Sequence, residues 1–112
     1  MTAPANDNQP PTIDWASIPE ETTGSVYVVG FNEFVKIGRS ETPRRRIKSI
    51  DSNMPTPISF YGIVPGNWFV ERLYHNRFSE HRVRGEWFKK LGILADWITG
   101  GCPKIEFKYE AA

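Results

Sequence analysis

Residues 26–40, VYVVGFNEFVKIGRS, constrain the fold more than any other stretch. Two valine-rich runs flank a short polar break, the pattern of a β-hairpin. Along the first strand, 25–30, Val26 and Val28 share one face, and Tyr27 and Val29 the other. Along the second, 33–39, Val35 and Ile37 share a face, and Phe34, Lys36 and Gly38 the other. An even-numbered loop puts Tyr27 and Lys36 on the same face, directly or diagonally opposed. The four aliphatic residues then form the core face and leave a phenol beside an ammonium on the opposite one. A charge in such a run costs stability unless it has a partner or a task. Two readings fit. Tyr27 is a half-buried strand tyrosine beside a lysine that snorkels to water. Alternatively, the ammonium lowers the phenol from its usual value of about 10, and the pair moves protons nearer neutral pH.

The rest of the chain supplies what such a hairpin needs to fold. With 112 residues, 39% hydrophobic and 13% aromatic, it has material for one domain and a real core. Residues 1–12 are rich in Pro, Asn and Asp and read as disordered; residues 13–22 read as a turn of helix that packs Trp15 on the body. Thr42 and Pro43 open a helix with Ile47 and Ile50 as its core stripe. A third strand follows at 58–64. The longest helical pattern spans 66–82, with Phe69, Val70, Leu73, Tyr74 and Phe78 on its apolar side. Gly85 marks a break, 88–98 reads as a last helix, and 104–110 alternates like an edge strand. No apolar run approaches the roughly 20 residues of a membrane helix, and the N-terminus lacks the basic and apolar blocks of a secretory signal. The single Cys102 excludes an internal disulfide and a Cys-rich zinc site, which suits a reducing cytoplasm.

Charge is distributed unevenly. Residues 1–23 carry −4 and residues 24–112 carry +5, a basic body behind an acidic leader. That balance suits a polyanion-binding surface, for which the leader would compete. Arg39, Arg44, Arg45, Arg46 and Lys48 fall within ten residues. They are either a solvated helix face or a phosphate-binding one. Arg46 precedes Ile50 by four positions, so it borders the core stripe and can lean over the Tyr27/Lys36 face. A guanidinium there suits a phosphate. Glu71 and His75, four apart, share the edge of the long helix's apolar arc. They form either a surface contact or part of a Mg²⁺ site, since one carboxylate with phosphate oxygens and waters is a normal environment for that ion.

Taken together, these residues resemble the GIY-YIG nuclease superfamily. Ser25-Val26-Tyr27 stands where that family has GIY, and Lys36-Ile37-Gly38 where it has YIG. Arg46 matches the helix arginine and Glu71 the metal-binding glutamate. Glu71, His75, Phe78 and Gly85-Glu86-Trp87-Phe88 resemble the small stand-alone phage and bacterial branch that carries KIG. The likeness covers roughly residues 24–90. It implies an α+β fold with a small central antiparallel sheet of about three strands flanked by helices, one divalent metal (Mg²⁺ or Mn²⁺), and hydrolysis of phosphodiester bonds in nucleic acid, DNA first. It also implies roles: Tyr27 as base, Lys36 tuning it, Arg46 stabilising the pentavalent phosphate, Glu71 holding the metal, with Arg39 and His75 secondary in the catalytic set. Arg39, Arg44, Arg45, Lys48, Arg82 and Arg84 are the expected nucleic-acid contacts. Lys36 in place of tyrosine, Ser25 in place of glycine and the absence of a counterpart to the family's later asparagine are departures. Glu86, in that region, reads as a structural or substrate-contacting residue in preference to a second metal ligand.

The expectation is therefore a leader over 1–23 and a single nuclease domain over 24–112, cytoplasmic, with no membrane association. A homodimer or a partner would supply any sequence specificity, because no separate DNA-reading module is visible. The alternative is a nucleic-acid-binding or regulatory module that keeps the fold without turnover.

Overall fold

A computed structural model describes residues 12–107. Five strands form one antiparallel sheet: β1 (Ser25–Phe31), β2 (Phe34–Ser40), β3 (Ser59–Pro65), β4 (Arg82–Arg84) and β5 (Trp87–Lys89), in the order β3-β1-β2-β5-β4. Three helices accompany it: α1 (Pro43–Ser52), α2 (Trp68–Arg77) and α3 (Gly92–Thr99). The α+β class is the expected one. The three expected strands make up β1, β2 and β3, and two short strands extend the sheet beyond them.

The hairpin turn is Asn32-Glu33, an even loop. Asn32 takes the left-handed conformation (φ 56°), which asparagine tolerates better than most side chains. Tyr27 faces Gly38 and Val29 faces Lys36, so Tyr27 and Lys36 are diagonal neighbours on one face. Both faces of the sheet are covered. On one, Val26, Val28, Val35 and Ile37 pack with Tyr74 and Phe78 of α2 and Leu94 of α3. On the other, Tyr27 and Val29 pack with Ile47 and Ile50 of α1, Ile18 and Ile58. Burial on both sides makes Tyr27 fully inaccessible along with the valines.

Pro43 occupies the first turn of α1, and Ile47 and Ile50 are buried as the stripe requires. Asn67 caps α2, its side chain accepting from the Val70 N–H at 3.0 Å. The helix ends at Arg77, short of the expected 82, and a 3-10 turn over Ser79–His81 follows. Phe69 lies on the exposed side, against expectation; Tyr74 and Phe78 carry the burial. The expected helix start at 88 is instead β5. Trp87, Phe88 and Lys89 alternate across the sheet, and the turn at Gly85 (φ 54°) folds β4 back on β5.

Residues 104–107 form no strand. Ile105 donates its N–H to the Tyr74 hydroxyl at 3.1 Å, and Phe107 stacks edge-on against Tyr74. The remainder of the expected edge strand, 108–110, and the disorder expected for 1–12, save Thr12, lie outside the described residues. Within the acidic leader, Trp15–Ser17 form a 3-10 turn, and Ile18 is buried in the core. No described helix is long and apolar enough to cross a membrane.

Candidate active site

Helix α2 covers the face opposite Tyr27, yet its Glu71 interacts with that phenol. The reason lies at the edge of β2. Strand β5 pairs with β2 only over Phe34–Lys36. At Ile37 the edge is taken over by other groups: the Ile37 N–H donates to the Glu86 carbonyl (3.0 Å), and the Ile37 carbonyl accepts from His75 Nε2 (2.7 Å). Those two bonds fix Glu86 and α2 against the same residue of β2. Glu71, one turn before His75 on the same stripe, then reaches round the open edge. Against a carbonyl the His75 nitrogen must donate, which sets its tautomer.

Gly38 creates the space for the site. A methyl group there would collide with the Tyr27 hydroxyl and stand 2.9 Å from Glu86 Oε1. Tyr27, Gly38 and Glu86 therefore bound one small volume. Lys36 Nζ lies 3.4 Å from Glu86 Oε1 and 5.2 Å from the centroid of the Trp87 ring, so the charge within the hairpin has a partner. Arg46 Nε donates to the Tyr27 hydroxyl at 3.4 Å from α1.

Burial holds the Tyr27 phenol above its ordinary pKa. The Arg46 hydrogen bond opposes that shift, and the carboxylates Glu86 and Glu71 reinforce it. The expected lowering by a neighbouring cation is thus corrected: desolvation outweighs it. Arg46 is held more firmly charged by Tyr27, with Glu86 contributing. Glu71 is pushed above the usual carboxylate range, first by burial and then by Glu86, which repels it and shares a hydrogen bond with it; His75 and Arg39 oppose the shift. Two carboxylates crowded in this way favour a proton or a cation between them.

The structure brings Tyr27, Lys36, Arg46, Glu71 and His75 together, with Arg39 close enough to act on Glu71. Arg39 Nη2 pairs with Glu41 at 3.3 Å, while its Nε is buried without an acceptor among the described residues. The other basic candidates diverge. Arg44 binds the Ile18 carbonyl (2.8 Å) and Glu20 (3.0 Å), tying the leader to α1. Lys48 lies over Trp15, and Arg82 donates to the Gly85 carbonyl at 2.8 Å. Arg45 and Arg84 are exposed. Among the described residues no group of three or more His, Cys, Asp or Glu converges as metal ligands.

Sequence reasoning kept Glu86 out of the catalytic and metal sets and read it as a structural or substrate-contacting residue. Its signal was available: read as a hairpin turning at Gly85, residues 82–89 bring Glu86 beside β2. Around one edge of its sheet, this small α+β domain gathers a phenol, a guanidinium and two carboxylates. A family model described as the T5orf172 domain matches residues 24–99, and the chain belongs to that family. This domain occurs in phage and bacterial proteins related to HNH and GIY-YIG-like endonucleases, and membership points to a nuclease-related, DNA-binding role. No curated protein and no solved structure matches the chain.

Proposed function

We propose that this chain is a metal-dependent endonuclease of the GIY-YIG type that hydrolyses phosphodiester bonds in DNA with one divalent ion, Mg²⁺ or Mn²⁺. The observation that carries the reading is the meeting of Tyr27, Arg46, Glu71 and Glu86, from four separate segments, around the gap left by Gly38. The residues fit the ion. Glu71 and Glu86 offer hard oxygen donors whose mutual repulsion a cation relieves, and an ion of this kind needs only one or two protein carboxylates beside phosphate and water. When bound, the ion supplies Lewis acidity at the phosphate oxygens.

The chain's own groups do the rest. Arg46 is aimed where negative charge grows on the equatorial oxygens. Tyr27, buried and held protonated, is a positioning group: its hydroxyl accepts from Arg46 Nε and orients that guanidinium toward the phosphate. Lys36 holds Glu86 in place. His75 positions α2, and through it Glu71, by its bond to Ile37. Arg45 and Arg84 contact the backbone of the nucleic acid, which makes affinity salt-sensitive and largely indifferent to sequence.

The test is supercoiled plasmid incubated with Mg²⁺ or Mn²⁺ and the wild-type, Glu71→Ala or Tyr27→Phe protein. Nicking or linearisation by wild type alone supports the reading. Binding without cleavage under either metal supports the regulatory alternative.

A further inference from the structure

On the Tyr27/Lys36 face, next to the candidate site, lies an open hollow of about 220 Å³ bounded by Phe31, Phe34, Met54, Val83, Arg84 and Trp87. Its lining is aromatic and aliphatic, Arg84 contributing only the apolar part of its side chain. It shares a wall with the site, because Trp87 also lies under the Lys36 ammonium. Phe34, Lys36 and Gly38 follow one another along the same face of β2. At the usual rise, Phe34 is roughly 7 Å from Lys36 and 13 Å from Gly38 along the strand. A stacked strand of nucleic acid covers that distance in about four nucleotides, and an extended one in fewer.

We infer that this hollow receives an unpaired nucleobase of the strand whose phosphate lies at Arg46 and Glu71, so that the preferred substrate is single-stranded or locally opened nucleic acid. The inference rests on the nuclease reading and names its substrate class. Three features select a nucleotide as the occupant. The aromatic walls match the π-face that every base presents. Arg84, exposed and bordering the hollow, offers positive charge suited to a phosphate next to the base. The hollow adjoins the candidate site through Trp87, which lines it and lies under the Lys36 ammonium that pairs with Glu86. Val83, 51% exposed on β4, closes one side and leaves the opening accessible from solvent.

The experiment measures binding by the Glu71→Ala protein, using fluorescence anisotropy with a labelled oligothymidylate, an abasic strand of equal length and a blunt duplex. The base-bearing strand should bind about tenfold tighter than the abasic one, as stacking of a single base warrants, and also tighter than the duplex. Added to that protein, Phe34→Ala and Val83→Lys should each reduce the preference over the abasic strand to about twofold or less. Val83→Lys is at the surface, keeps the fold and adds a cation, so loss of preference with undiminished abasic binding is specific to the hollow. Equal affinity for base-bearing and abasic strands overturns the inference, as does a preference that survives both substitutions. So does a shift from dimer to monomer in sedimentation on Val83→Lys, which would assign the hollow to a second copy of the chain. A base preference without plasmid cleavage counts against the nuclease reading alone; cleavage without a base preference counts against this inference alone.

Discussion

Replacing Gly38 with alanine adds one methyl group at the centre of the site. The new carbon would collide with the Tyr27 hydroxyl, approach the ring carbon that bears it to 2.6 Å, and stand 2.9 Å from Glu86 Oε1. Restoring ordinary contact requires the phenol to retreat by about 1 Å. Tyr27 has no accessible surface and is packed among Ile18, Val29, Ile47 and Ile58, so the retreat displaces core side chains. Overpacking of this kind costs about 1–3 kcal/mol, which in a domain of this size lowers the melting temperature by roughly 5–15 °C. Arg46, bonded to that hydroxyl, moves with it, and a charge-stabilising group misplaced by that distance loses about 100-fold in rate. Two assays are needed: thermal melting by circular dichroism, and plasmid cleavage at a temperature where the variant is folded. A double-mutant cycle with Tyr27→Phe isolates the cause. Once the hydroxyl is gone, the alanine should cost less stability and almost no further activity. Unchanged melting and cleavage in Gly38→Ala would refute the placement of the phenol over this glycine. Additive losses in the cycle would do the same.

Three further outcomes follow from the same contacts. Glu71 is raised in the folded state, so its ionisation destabilises the fold as pH climbs from the unfolded carboxylate value through the folded one. Glu71→Gln should therefore melt higher than wild type at neutral pH without metal, and saturating Mg²⁺ should raise the melting temperature of wild type but not of the variant. Arg44→Ala should cost about 1–3 kcal/mol by releasing the Ile18 carbonyl, while the salt dependence of DNA binding stays as in wild type; Arg45→Ala should leave stability intact and reduce the salt slope. The Cys102 thiol, buried and pushed up to about 12, should resist a thiol-reactive dye at pH 8 in the native state and react at once in denaturant.

Much of the site could be read from the sequence because its residues sit on strongly patterned elements. Alternation in the hairpin put Tyr27 and Lys36 on one face, and helical spacing put Glu71 and His75 on one stripe. Pro43 fixed the start of the helix that carries Arg46. What escaped depended on contacts between elements. Three-residue strands such as β4 and β5 carry too little periodicity to stand out from the end of a helix, and the place of Glu86 beside β2 was lost with them. The direction of the Tyr27 shift escaped because it depends on burial under α1 and Ile18, which strand alternation does not reveal. Arg44 resembled its neighbours in the basic run until the position of the leader showed it bound to Ile18 and Glu20.

The most direct measurement is a crystal of the wild-type protein soaked in Mn²⁺ and examined for anomalous scattering. The expected result is one strong peak within coordination distance of Glu71 and beside Glu86, lost in the Glu71→Gln variant. A peak elsewhere on the molecule, or none at a concentration that supports plasmid cleavage, would contradict the central claim that these two carboxylates hold the metal beside Tyr27.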